Sequence, residues 1–208
     1  MSAISFGSLG IYNTVMPAPV PGSGVTLQVD STGAQYINNG GRKHTYAAVS
    51  NSTTIATFTA AAGDIATLSG SASQIIRVSR IEVSLSTSGT AALETVSLIK
   101  RSTANSGGTF LSMIAVPHNS VFPAATASAL LYTAAPTLGT AVGFLRSVQF
   151  NDQSAAAPGS ATWIWTFGDG RGGSSAPLLN GVAESICVNL SGVVATQSAA
   201  VSFEWTEE

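Results

Sequence analysis

The sequence predicts an all-β fold: an antiparallel β-sandwich or jelly roll with an extended N-terminal arm. Three observations predict it. About a dozen short stretches alternate apolar and polar side chains, which is the period of a half-buried strand. Clusters of Gly, Ser, Asn and Pro separate them at the spacing of hairpin turns. No gap contains the long helical pattern that parallel strands need for their crossover connections.

Composition indicates a surface that other molecules cover. Charged residues make up 9% of the 208 residues, against about 25% in an ordinary soluble domain. A surface of small neutral side chains has little charge repulsion to oppose self-association. We therefore expect part of the surface to be buried against copies of the chain or a larger assembly. The alternative is a soluble monomer coated with Ser and Thr hydroxyls.

Residues 1–24 are predicted to form the arm, and residues 25–208 a single β-sandwich domain. Pro17, Pro19 and Pro21 favour extended backbone. The apolar residues before them follow neither a helical nor a strand period. A docking arm that gains order on a neighbour explains them better than a frayed terminus. The predicted contact residues are Phe6, Leu9, Ile11, Tyr12, Val15 and Met16.

The domain begins with short predicted strands. Val25, Leu27 and Val29 alternate before a turn, and residues 45–49 and 53–59 are predicted strands. Residues 60–64 are predicted to form a loop or one helical turn.

The clearest feature is a predicted antiparallel hairpin of residues 74–86 and 92–101, around which the rest is expected to be arranged. The apolar positions change parity between Val78 and Ile81. One extra residue at Ser79–Arg80 restores a single buried face, so we predict a β-bulge there.

Further strands are predicted at 109–116, at 130–132 as an edge strand, and at 182–190 and 199–206. Another strand is expected to place Val142, Phe144, Arg146, Val148 and Phe150 on one face. The run at 161–167 places Ala161, Trp163, Trp165 and Phe167 on one face, which indicates a core or interface strand because aromatic side chains bury large areas.

No residue pattern predicts a catalytic, cofactor or metal site. Residues 168–173 match G-x-G-x-x-G, but Pro177 follows where a nucleotide-binding helix would have to begin. His44 and His118 match no zinc spacing. Cys187 has no neighbour that would stabilise a thiolate, so a packed side chain is expected.

The acidic residues give no catalytic pattern either. The C-terminal carboxylates are expected to be solvated, and neither Asp152 nor Asp169 has the clustered oxygen ligands that calcium requires. A glycosidase pair would have to be assembled from distant residues whose spacing does not support it, namely Glu82, Glu94, Asp152 and Glu184.

Charge and hydropathy limit the partners. The net charge is −2 and the one basic cluster is three residues long, so no nucleic-acid partner is predicted. Proline and glycine interrupt the long uncharged region 102–145, so no membrane span is predicted. No basic segment precedes the first apolar residues, and a secretory signal is therefore not expected.

The chain from residue 100 onward contains three distinctive segments. They are KRSTANSGGT (100–109), then VPHN (116–119) with PAATA (123–127) and YTA (132–134), and finally GVAES (181–185) through VSFEWTEE (201–208). Together these segments resemble a family of small virion structural proteins of tailed bacteriophages and related prophages. The resemblance implies a particle component with no catalytic role: a capsid decoration protein, a head fibre or a tail component.

Resemblance and composition together predict a non-enzymatic capsid decoration, or cement, protein. Its expected partners are the major capsid protein or other virion proteins and itself, as a homotrimer. Its expected location is the virion, assembled in the host bacterial cytoplasm. The alternatives are a tail- or fibre-associated protein and a carbohydrate-binding β-sandwich. Trp163 and Trp165 discriminate, because a sugar site needs them on a solvent-facing platform and a structural role needs them on a buried face.

Overall fold

The computed structural model describes residues 28–29, 35–36, 43–50, 53–55, 63–87, 93–151, 159–168, 175–191 and 197–208. The chain divides into two units, Met1–Lys43 and His44–Glu208. In the first, β1 (Gln28–Val29) pairs antiparallel with β2 (Gln35–Tyr36). The predicted arm lies outside the described residues and stays a prediction, as do its contact residues Phe6, Leu9, Ile11, Tyr12, Val15 and Met16.

The described part of the second unit consists of strands joined by turns and irregular segments. In chain order the strands are β3 (His44–Val49), β4 (Thr53–Ile55), β5 (Gly63–Ser69), β6 (Ile76–Thr87), β7 (Leu93–Arg101), β8 (Thr109–Met113), β9 (Ala115–Pro117), β10 (Ser128–Ala134), β11 (Ala141–Asn151), β12 (Gly159–Thr166), β13 (Leu178–Leu179), β14 (Ser185–Ser191) and β15 (Gln197–Glu207). Within the described residues of the chain, no helix is long and apolar enough to span a membrane.

The strands form two antiparallel sheets. Sheet I has the order β11-β7-β14-β5-β10-β8, and sheet II has the order β12-β6-β15-β3-β9, with β13 paired to β6 and β4 to β15. One hydrophobic cluster draws side chains from both sheets, among them Leu98 and Ile186 from sheet I and Phe203 and Trp205 from sheet II. The prediction of an all-β antiparallel fold is confirmed, and the arrangement is consistent with a sandwich.

The predicted hairpin of residues 74–86 and 92–101 is wrong as a pairing, although both strands form. β6 pairs with β12 and β15 in sheet II, whereas β7 pairs with β11 and β14 in sheet I. Alternation identifies the buried face of a strand but not its neighbour. Two consecutive strands bury the same side chains whether they pair or lie in opposite sheets.

The predicted β-bulge in β6 is confirmed. Val78 lies opposite Trp205 and Arg80 lies opposite Glu204, so Ser79 is the extra residue. The Ser79 carbonyl accepts a hydrogen bond from the Phe167 amide at 2.8 Å. The bulge thereby keeps the apolar side chains before and after it on the core side of sheet II.

Two predictions for sheet I are corrected. Gly63 and Asp64, predicted as part of a loop or helical turn, begin β5, which lies between β14 and β10. β5 is buried on both faces, so it lacks the period-two signal that marks a half-buried strand. The strand predicted at the sheet edge, β10, instead lies between β5 and β8.

Two other strands depart from the predicted pattern. Register shifts between Ala141 and Gly143 and between Phe144 and Arg146 interrupt β11, so its apolar residues do not share one face. Phe144 is exposed, while Val148 and Phe150 pack against the core. Residues 109–116, predicted as one strand, form β8 in sheet I and then β9 in sheet II, with Ile114 between them.

Candidate interaction surfaces and their buried anchors

A buried carboxylate, Asp64, lies on the side of sheet I that faces away from the core. Its side chain is 0% exposed, and that of its partner Arg101 is 4% exposed. Arg101 donates from Nε to Asp64 Oδ2 at 2.6 Å and from Nη2 to Oδ1 at 2.8 Å. Asn189 Nδ2 donates to Oδ1 at 2.8 Å, so three neighbouring strands meet at this carboxylate.

The same carboxylate fixes two loops, 102–108 and 135–140. Asn105 donates from Nδ2 to Asp64 Oδ2 at 2.8 Å, and its Oδ1 accepts from the Gly139 amide at 2.8 Å. Arg101 Nη1 donates to the Gly139 carbonyl at 2.7 Å. The loops also form a β-bridge between Ser106 and Thr137. We name this arrangement of Asp64, Arg101, Asn105 and Asn189 the Asp64 anchor.

The electrostatics of the Asp64 anchor are those of a structural ion pair. Burial alone would raise the pKa of Asp64, but hydrogen bonds from Arg101, Asn189 and Asn105, together with the Arg101 charge, hold the pKa below its ordinary value. Each carboxylate oxygen accepts two hydrogen bonds. The donors fill the acceptor positions that a substrate or metal would need.

Cys187 lies beside the Asp64 anchor and is fully buried. Burial and, secondarily, the Asp64 charge raise the pKa of the Cys187 thiol. A buried neutral thiol is a poor nucleophile, which agrees with the prediction of a packed side chain.

A second buried carboxylate, Glu207, corrects the expectation that the C-terminal carboxylates are all solvated. Glu207 is buried and accepts from the amides of Thr126 and Ala127, each at 3.0 Å. It also accepts from Thr126 Oγ1 at 2.7 Å and from Trp205 Nε1 at 3.0 Å. Burial would raise the pKa of Glu207, but these hydrogen bonds lower it.

Glu207 thus attaches the segment 123–127, which leads from sheet II to sheet I, to the end of β15. Tyr46 adds a second attachment, because its hydroxyl donates to the Pro123 carbonyl at 3.0 Å. The Tyr46 ring stacks on Trp205 with centroids 5.8 Å apart. We name Glu207 and its donors the Glu207 anchor.

Sheet II presents a surface of mostly small neutral side chains on the side away from the core. Arg80 donates to Glu82 at 2.6 Å and to Glu204 at 2.9 Å, so its charges form a local network. Small side chains and a few exposed aliphatic ones surround it. We name this surface the outer sheet face; its residues include Ala47, Val49, Arg80, Glu82, Ser84, Val116, Ile164, Ala200, Ser202 and Glu204.

One flank of the sandwich is apolar where the chain changes sheets. β8 is the last strand of sheet I on this flank, and β9 is the last strand of sheet II. Three large apolar side chains are exposed within five successive residues. We name them the β8–β9 seam: Phe110, Leu111 and Ile114.

The aromatic side chains of β12 face the core. Trp163 and Trp165 share one face and pack, partly buried, against the hydrophobic cluster. Trp163 also contacts Phe150 of sheet I, with ring centroids 4.7 Å apart. These two Trp residues therefore help close the sandwich and do not form a solvent-facing platform.

The other candidate residues do not converge on a site within the described residues. Glu82 in sheet II pairs with Arg80, whereas Glu184, just before β14, pairs with Lys100 of sheet I at 3.2 Å. No three His, Cys, Asp or Glu side chains there come together as a metal-ligand group. After the glycine-rich run, the chain from Ser175 leads into β13 and not into a helix. Asp152 and Asp169 lie outside the described residues.

Sequence reasoning missed both anchors. For Glu207 a signal existed, because it shares parity with Phe203 and Trp205 and therefore points to the core side of β15. For Asp64 the available signal was weaker: a lone acidic residue in an otherwise apolar stretch, with Arg101 ending another buried strand.

No protein-family model matches the chain, and a search of curated proteins found no match.

Proposed function

We propose that this chain is a non-enzymatic bacteriophage virion structural protein, a capsid decoration (cement) protein. It binds the head surface as a homotrimer and stabilises contacts between major capsid subunits. It needs no cofactor and takes no nucleic acid or membrane as partner. The resemblance of residues 100–208 to small virion proteins supports the class of particle.

The outer sheet face is the observation that carries this proposal. Covering a charged surface normally costs free energy, because ions lose their hydration without always gaining partners. Here Arg80 already has Glu82 and Glu204 as partners, and the surrounding side chains are small or aliphatic. Another protein can cover this face while these three charged side chains keep their ion pairs.

The two anchors support the same role. They hold the loops 102–108 and 135–140 and the segment 123–127 in fixed positions before any partner binds. A preorganised surface loses less conformational entropy on binding than a mobile one. Many modest contacts then add up over a shell, since multivalent binding strengthens attachment without new contacts. The predicted arm would add a second contact to a neighbouring subunit.

The proposal is tested by binding purified protein to phage heads that lack it. Ala200 lies on the outer sheet face, and Ala200→Arg should abolish or strongly reduce co-sedimentation with heads, because a long charged side chain would then project from the covered surface. Ala183→Arg is the matched control, since Ala183 is exposed in the turn before β14, away from the outer sheet face and from the anchored loops. Equal head binding by both variants would contradict the role of the outer sheet face.

The alternative functions have separate tests. Cryo-electron microscopy of purified particles distinguishes a head position from a tail or fibre position. Trp163 and Trp165 pack toward the core, so they do not form the solvent-facing platform on which a carbohydrate-binding protein would stack sugar rings. Saturable binding on a glycan array would nevertheless favour that function over a structural one.

A further inference from the structure

We infer that the β8–β9 seam lies at the threefold axis of the homotrimer, where copies of this chain cover it. This inference rests on the trimer in the proposed function and adds the surface through which the copies meet. The seam then contacts other copies of the chain, and the outer sheet face contacts the capsid.

The first argument is the backbone of β8. Within the described part of the chain, β8 pairs with β10 on one side and no strand pairs with its other edge. Proteins usually protect such an edge with charged residues, proline or a bulge in the edge strand. Thr109–Met113 contains no charged residue and no proline, and its sequence is apolar at three of five positions. An edge of this kind is suited to contact with another chain.

The second argument is the incomplete core beside it. Leu111 lies opposite Leu131 in the register, so both belong to the core-facing side of sheet I. Leu131 is 0% exposed, but Leu111 is 50% exposed because β8 is the end strand of sheet I and no described strand lies beyond it. Ile114, at the change of sheets, is 80% exposed. An apolar partner would complete the core here.

The third argument, charge, favours a copy of the same chain as that partner. The chain has no Lys, Arg, Asp or Glu from Ser102 to Leu145, a region that contains the whole seam. Near a symmetry axis each side chain approaches its own copies, so any charge would meet a like charge. A seam without charge therefore fits an axis between identical subunits.

The test combines mass measurement with single-cysteine cross-linking. Ile114→Cys places a thiol on the seam, and Ile164→Cys is the matched control on β12, at the other end of sheet II. The natural Cys187 is fully buried, so it contributes little background. With a short bismaleimide, Ile114→Cys should give a covalent dimer band and Ile164→Cys should give only monomer. Light scattering should show three copies for the unmodified chain.

Charge substitution gives an independent result. Ile114→Lys should shift the mass from three copies to one, whereas Ile164→Lys should remain trimeric. Circular dichroism should show that both variants keep the β-sheet spectrum and still unfold cooperatively. If the Ile114→Lys variant stays trimeric and the Ile114→Cys variant gives no covalent dimer, the seam is not the contact between the copies, although the chain is still a trimer. A monomeric or two-copy mass for the unmodified chain overturns the threefold axis, while head binding still tests the virion function separately.

Discussion

Asp64 and Glu207 have the same role at two places in the molecule: each is a buried acceptor that fixes chain segments lacking regular structure. Asp64 accepts from Arg101, Asn105 and Asn189, and Glu207 accepts from the 126–127 backbone and two side chains. Buried carboxylates are rare unless they are fully paired. Both of these satisfy that condition, which favours a structural over a catalytic role.

Asp64→Asn should lower the free energy of unfolding by about 3–5 kcal/mol, because Arg101 stays buried without its counter-charge. Urea unfolding followed by circular dichroism measures the change. The control is Glu184→Gln, which breaks the partly exposed pair with Lys100 and should cost less than about 1 kcal/mol. Similar small losses in both variants would show that the Asp64 anchor does not stabilise the fold.

Stability should also fall in acid. The pKa values of Asp64 and Glu207 lie below their ordinary values of 3.8 and 4.5, so their stabilisation is complete above those values. As the pH falls through them, the unfolded chain binds protons that the native carboxylates still exclude, and the free energy of unfolding decreases until the native groups also titrate. Urea unfolding at about pH 7, 5, 4 and 3 measures this loss.

The Glu207→Gln variant isolates one of these two contributions. It should be less stable than the unmodified chain at neutral pH, and the difference between the two should shrink in acid. A difference that stays constant from neutral to acidic pH would show that the ionised form of Glu207 is not what holds the 123–127 segment.

At the scale of elements, the loops over sheet I depend on close approach at Gly139. A Cβ atom there would overlap the backbone carbonyl of Thr103, so the two loops would have to separate. Gly139→Ala should therefore lower the free energy of unfolding by about 1–3 kcal/mol. Gly143→Ala is the matched control in β11, since a Cβ there meets nothing within 4 Å. Thermal unfolding of both variants tests this, and equal midpoints would contradict it.

The individual strands were largely predictable, and their partners were not. Parity along β6 located the bulge at Ser79, because a change of face within one strand requires an extra residue. The pairing of β6 with β15 joins residues over a hundred positions apart, and nothing local in either strand encodes it. β5 escaped prediction because burial on both faces removes the alternation.

The candidate surfaces were predictable only as a property of composition. Low charge indicated that neighbours cover part of the molecule, but not which part. To predict the outer sheet face, one must know that Arg80, Glu82 and Glu204 meet across β6 and β15. The seam requires knowing that β8 and β9 are the end strands of their sheets. Both depend on topology, which the sequence pattern leaves open.

At the scale of the whole molecule, the two partners are assigned to different sides of the sandwich. The charges of the outer sheet face are paired within it, so a different protein can cover it without supplying counter-charges. The seam contains no charge and suits the same protein again. Head binding and self-association should therefore be separable. The Ala200→Arg variant should remain trimeric but no longer bind phage heads. A monomeric Ala200→Arg variant would show that the two surfaces are not independent.

The strand order has a consequence for biosynthesis. β14 lies between β7 and β5, and β15 lies between β6 and β3, so strands made late hold earlier ones together in both sheets. Sheet I cannot be completed until residue 191 has left the ribosome, and sheet II cannot be completed until residue 207 has left it; such distant pairings form slowly. A chain that stops at Ser191 should remain protease-sensitive and without cooperative unfolding, which limited proteolysis of translation products would reveal.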